Sequence, residues 1–199
     1  MKWIVVTSPS FVEGEVTFIE RLFLHGLDLL HVRKPGATEA ECRRLIESIP
    51  IKWRDRIVLH DHLELASEYG LYGIHLNRRN PSVPEGWHGS VSCSCHSIEE
   101  VAARKPNVDY LFLSPIFDSI SKQGYCASFS SADLDEAAHM GVIDDKVIAL
   151  GGMTLGSIPM IKRWHFGGAA FLGDVWGKIN APTNEADSYF DKIRTALVR

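Results

Sequence analysis

Ser90-Val91-Ser92-Cys93-Ser94-Cys95-His96-Ser97-Ile98-Glu99-Glu100 reads as one complete strand-to-helix unit. In a strand, side chains two apart share a face. Ser92, Ser94 and His96 therefore point one way, and Cys93 and Cys95 the other. The cysteines are small and apolar and suit the face beneath a helix. That places the serines inward and His96 at the rim. The helix starts at once: Ser97 with Glu100 predicts a capping box with an acidic first turn.

Outward from this unit the same alternation runs through the chain. Eight β-like runs occur, at Trp3–Thr7, Leu29–Arg33, Arg56–Asp61, Gly73–Leu76, Ser90–Cys95, Tyr110–Phe117, Lys146–Leu150 and Ala169–Leu172. Several are almost continuously apolar, as expected of parallel strands covered on both faces. Helical patterns follow at Glu15–His25, Thr38–Ile49, His62–Tyr69, Ser97–Arg104, Ala132–Met140, Leu155–Trp164 and Glu185–Val198, with a second capping box at Thr38 and Glu41. Asn77–Gly89 holds two prolines and no good helix, so the fourth unit is degenerate. Strict alternation predicts an α/β fold with a parallel sheet. Eight units in 199 residues predict a (β/α)8 TIM barrel forming a single domain over residues 1–199. A doubly wound sheet of fewer strands is the alternative.

The 45% hydrophobic and 23% charged composition is that of an ordinary globular domain, and the net charge of −4 gives no support to a nucleic-acid partner. The short apolar run Trp3–Val6 is no signal peptide, and no run approaches a membrane span, so the cytoplasm is the expected address. The four cysteines do not form a disulfide framework, and Cys93-x-Cys95 lacks a second pair to complete a zinc site.

In a barrel of this kind the site lies at the carboxyl ends of the strands. Those ends are polar here: His31-Val32-Arg33-Lys34, His60-Asp61-His62, His75 followed by Asn77-Arg78-Arg79, the serines and His96 of strand five, and Ser114 leading into a loop with Lys122. His96 can exchange protons near neutral pH; its plainer role is to cap the helix at Ser97. Arg33 ends a buried strand, where a guanidinium meets a phosphate or a carboxylate; the plainer partner is Asp61 on the next strand. Lys122 can bring an ammonium to a ligand from the long loop, or simply be solvated. Gly151-Gly152 after strand seven and Gly173 after strand eight fall where barrels bind phosphate on backbone N–H groups. His60-x-His62 with His75 and Asp61 also admits a metal-hydrolase reading.

Taken together, these segments resemble the thiamin phosphate synthase/TenI family. The resemblance rests on His31-Val32-Arg33, on residues His60 to Ala66, on Gly73-Ile74-His75-Leu76, on residues Ser94 to Glu100, on residues Tyr110 to Phe117 with Lys122, and on Ala149-Leu150-Gly151-Gly152-Met153, in order over nearly the whole chain. It implies the barrel, and an enzyme of thiamin biosynthesis acting on a thiazole phosphate. A synthase joins that thiazole to an aminopyrimidine diphosphate with Mg²⁺ help and releases pyrophosphate. A TenI-like tautomerase moves a proton on the thiazole and needs no cofactor. By resemblance, Arg33, Ser94 and Lys122 hold the diphosphate, Asp61 is one of two magnesium-linked aspartates, and Gly151, Gly152, Leu172 and Gly173 form the thiazole-phosphate cradle. His96 matches the tautomerase acid/base.

The chain departs from the synthase pattern at several of these positions. His31 stands for a glutamine and His60 for an asparagine, both in the substrate-binding set, and Pro35 stands for a lysine. Asn80, in Asn77-Arg78-Arg79-Asn80, stands for the second aspartate. Losing a carboxylate weakens a hard-cation site, and the lost residues are mostly ones a tautomerase does not need. The departures favour an isomerase, with the transferase as alternative and a non-catalytic thiamin-pathway binder as a third reading. Exposed barrel helices are compatible with a homodimer; neither a membrane nor a nucleic-acid partner is expected.

Overall fold

The structure, a computed structural model, describes residues 1–118 and 128–198. Eight parallel strands close into a barrel in sequence order: β1 Lys2–Val6, β2 Leu29–Val32, β3 Ile57–Leu59, β4 Gly73–Leu76, β5 Ser90–Cys95, β6 Tyr110–Leu113, β7 Val147–Leu150 and β8 Gly168–Phe171. Closure is made by β1 against β8, with Lys2 opposite Gly168 and Val5 opposite Phe171. The helices are α1 Glu15–Leu24, α2 Glu39–Ser48, α3 Glu64–Glu68, α4 Ile98–Arg104, α5 Ser131–His139, α6 Ile158–Arg163, α7 Gly173–Trp176 and α8 Thr183–Val198. The (β/α)8 expectation is met, and β4 passes to β5 without a helix, as the prolines require. Among the described residues no helix is long and apolar enough to cross a membrane.

Alternation along the strands produces two cores. Trp3 and Val5, Leu30 and Val32, Cys93 and Cys95, and Leu111 and Leu113 face outward, buried under the helices. Phe18 of α1, Trp176 of α7 and Phe190 of α8 join this layer, with ring centroids 5.2 and 5.5 Å from Phe18. Each fully buried side chain of this size contributes about 1.5–3 kcal/mol. Ile4, Val6, Leu29, Val58, Tyr110, Phe112, Ile148 and Ala170 face inward and fill the barrel. The cysteines thus lie where expected; Cys42, Cys93 and Cys95 are free and buried, and Cys126 is outside the described residues.

Thr38 and Glu41 form the expected capping box at α2. The box at α4 is only half formed. Ser97 accepts from the Glu100 N–H, but the Glu100 carboxylate reaches past Ser97 to the His96 N–H at 2.7 Å.

Candidate active site

The floor of the barrel mouth is built from inward positions of β2 to β6. His31, His60 and His75 are all buried there. The His60 and His75 rings stack at 4.1 Å, and Phe112 lies 4.7 Å from His31 and 5.0 Å from His75. His31 Nδ1 is 2.9 Å from His60 Nε2, and His31 Nε2 is 2.7 Å from the Tyr110 hydroxyl. His75 Nδ1 and Nε2 lie 2.9 Å from the hydroxyls of Ser92 and Ser94. Burial holds all three imidazoles below their ordinary range; for His75, with help from the Arg33 charge, the value is about 3. Neutral rings are what a dry interior tolerates, and five of the six ring nitrogens have a hydrogen-bond partner, His60 Nδ1 being the exception among the described residues.

Ring nitrogens of these three histidines lie within 4.8 Å of one another. In this arrangement His31 Nε2 and both nitrogens of His75 are taken up by the hydroxyls of Tyr110, Ser92 and Ser94, and His31 Nδ1 faces His60 Nε2. His62 does not join them. Its ring is 2.9 Å from the Ala37 carbonyl on a left-handed residue with φ 52°, so the His-x-His metal reading is not supported.

The rim carries the charges. Arg33 follows β2, and its backbone exchanges hydrogen bonds with the Thr7 hydroxyl at 2.9 and 3.1 Å. The Arg33 guanidinium has no hydrogen-bond or ion-pair partner among the described residues. The expected pair with Asp61 is not made. Asp61 is instead clamped by Arg79, Nε to Oδ1 at 2.8 Å and Nη2 to Oδ2 at 3.0 Å, and Asn80 Nδ2 donates to Oδ1 at 3.3 Å. Asn77 and Asn80 both donate to the His60 carbonyl, at 2.6 and 3.0 Å, which folds the helix-free segment against the mouth. Lys34 turns away from the mouth. It is fully buried, donating to Glu15 Oε1 at 2.5 Å and to the Ser10 carbonyl at 2.8 Å, and so ties the segment after β1 to the end of β2.

On the opposite side, exposed His96 donates Nδ1–H to the Ser114 carbonyl at 2.9 Å. A carbonyl only accepts, so this bond assigns the proton to Nδ1 and leaves Nε2 as a base. The side chain does not cap α4; Ser97 does. Gly151 and Gly152 take φ 96° and 61°. A Cβ on Gly152 would lie 2.3 Å from the Asp118 carbonyl oxygen, and one on Gly151 2.8 Å from Pro115 Cα. Both glycines let the segment after β6 pack on the end of β7, where Phe117 N–H bonds the Gly151 carbonyl at 3.1 Å. Half-buried Leu172 caps α7, and exposed Gly173 is its first residue. Asp174 follows, accepting from the Tyr189 hydroxyl at 2.6 Å, with its carboxyl pushed up by burial. Lys122 lies outside the described residues.

Residues 3–175 match the family model described as thiamine monophosphate synthase. The chain belongs to that family. Thiamine phosphate pyrophosphorylase from Bacteroides thetaiotaomicron is 44% identical with a TM-score of 0.88, covering 98% of this chain and 97% of its own. The pyrophosphorylase from Pyrococcus furiosus shares the fold at 16% identity and a TM-score of 0.78, with 99% and 95% covered. Among curated relatives, a thiamine-phosphate synthase of Halalkalibacterium halodurans is 26% identical over 152 residues, 72% of this chain and 71% of its own. One of Clostridium tetani is 21% identical over 203 residues, with 94% and 95% covered. The curated relatives carry the synthase name and the two solved structures the pyrophosphorylase name, and none of these names backs the preference for a tautomerase drawn from the departures.

The family resemblance implies magnesium at Asp61, and the residues present do not fit it. The lone carboxylate is engaged by a guanidinium on both oxygens and by an amide on one. Asn80 brings a neutral side chain where a second charge is needed. The structure therefore groups His31, His60 and Ser94 with Arg33 beside them, and sets His96 and Gly151-Gly152 around the segment after β6. Sequence reasoning missed His75 as the centre of the floor, Tyr110 beneath it, and Arg79 as the partner of Asp61. The first two were within reach of the alternation that sorted β5, applied to β4 and β6.

Proposed function

We propose that this chain is a thiamine-phosphate synthase, joining an aminopyrimidine diphosphate to a thiazole phosphate and releasing pyrophosphate. The observation that carries this is the uncommitted Arg33 guanidinium at the mouth, taken with the names of the relatives. Displacing a diphosphate builds negative charge on the leaving oxygens, and a preorganised guanidinium in a partly dry site stabilises it. Arg33 and the outer N–H groups of Arg79 are suited to that charge, and the glycine turns after β7 and β8 to the thiazole phosphate. No step is routed through magnesium; at Asp61 the positive charge is taken to be the guanidinium of Arg79.

A tautomerase is the second reading, and His96 favours it: Nδ1 held by a carbonyl leaves Nε2 poised to take a proton. The test is incubation of the purified chain with both synthase substrates, with and without Mg²⁺, followed by assay for thiamin phosphate. Product at a catalytic rate supports the transferase. Without product the transferase falls, and a proton-exchange assay of wild type against His96→Gln decides whether the isomerase replaces it.

A further inference from the structure

Tyr110 sits in β6 at the bottom of a hydrogen-bonded line that ends at the mouth. A phenol carries one proton, and burial raises its pKa, so the proton stays. Its short contact is with His31 Nε2 at 2.7 Å, while the Ser92 hydroxyl is a second neighbour of the phenol. Ser92 has two acceptors for its own proton, the Ile74 carbonyl at 3.2 Å and His75 Nδ1 at 2.9 Å. If Tyr110 donates to Nε2, that nitrogen is bare, and neutral His31 carries its proton on Nδ1. This N–H points at His60 Nε2, 2.9 Å away, which must then also be bare. Neutral His60 is left with its proton on Nδ1. That nitrogen has no partner among the described residues, and His60 keeps 5% of its surface exposed.

We propose that Tyr110 is a positioning residue that fixes, through His31, the Nδ1–H form of His60, so that the floor presents a set hydrogen-bond donor to a neutral acceptor atom of the ligand. The acceptor is a ring nitrogen of a heteroaromatic group. Anionic oxygens are drawn to Arg33, whereas the His60 donor is uncharged and belongs to a stacked aromatic surface. A glutamine at position 31 would preserve the polarity, because an amide accepts on one side and donates on the other. The ligand half of this proposal rests on the proposed function; the protonation half does not.

Long-range ¹H–¹⁵N spectra of histidine-labelled full chain test it, because the two tautomers shift the ring nitrogens differently. Wild type is expected to show His60 protonated on Nδ1. Tyr110→Phe should move His60 toward an even mixture, and His31→Gln should keep Nδ1–H. In the synthase assay, Tyr110→Phe should raise the KM of the aminopyrimidine substrate about three- to tenfold with kcat little changed, the loss of one well-placed hydrogen bond. His60 protonated on Nε2 in wild type, or unmoved in Tyr110→Phe, overturns the proposal whatever the activity. A chain with the expected spectra but no thiamin phosphate keeps the tautomer and discards the synthase.

Discussion

The buried imidazoles make the fold sensitive to mild acid in a way that can be worked out. At pH 7.5 the three rings are neutral in the folded and unfolded chain alike, so they add no pH dependence. Below about 6.5 the unfolded rings take up protons. The folded ones do not, because burial holds His31, His60 and His75 well below that range, His75 at about 3. The native state then binds fewer protons than the unfolded one, and stability falls as pH falls. Each ring contributes about 1.4 kcal/mol per pH unit once the unfolded form is protonated, so three give about 4 kcal/mol between pH 6 and 5. That is a large share of the roughly 5–15 kcal/mol of a typical domain. Glu15 and Asp174, raised by burial, work in the opposite sense and soften the lower end of the window. Glu41 and Asp133, lowered by their caps, act only below the ordinary carboxylate range. Urea unfolding followed by circular dichroism at pH 7.5, 6.5, 5.5 and 5.0 measures the slope. His75→Gln should reduce it by about a third. A stability that stays level from pH 7 to 5 would refute the reasoning.

Other substitutions probe the remaining contacts. Gly152→Ala should cost at least about 2 kcal/mol by thermal unfolding, from left-handed backbone and collision with Asp118, whereas Gly156→Ala, whose nearest added contact is 3.7 Å away, should stay within about 0.5. Lys34→Met should cost about 3–5 kcal/mol by stranding Glu15, and adding Glu15→Gln should recover much of it. Manganese(II) titrated into wild type and read by electron paramagnetic resonance should show no saturable site at Asp61, and the double variant Arg79→Ala/Asn80→Asp should create one.

The strands were legible because each is an apolar run bounded by polar ends, and the eight observed strands overlap the eight expected ones. Alternation also gave the facing of Ser92, Ser94, Cys93 and Cys95 correctly. It did not give partners across strands. The meeting of His31 with Tyr110 depends on register accumulated from β2 through β6, which no local pattern records. Asp61 was read beside Arg33, its neighbour in the sheet. The helix-free segment 77–89 folds back instead and supplies Arg79, a contact set by loop path rather than periodicity. Glu100 bypassed Ser97 for a similar reason: the open N–H of His96 lay within its reach.

The pairing of β1 with β8 also shapes how the chain is made. Lys2 and its neighbours leave the ribosome well before their partners, Gly168 to Phe171, each of which follows 166 positions later. Until then every nascent intermediate is an open sheet with two bare edges, and such edges recruit strands from other chains. With its most distant strand pairing as the last to form, the barrel has a late, entropically demanding closure step. Synthesis rate and chaperone supply should therefore govern the yield of folded protein more strongly than a native stability measured afterwards.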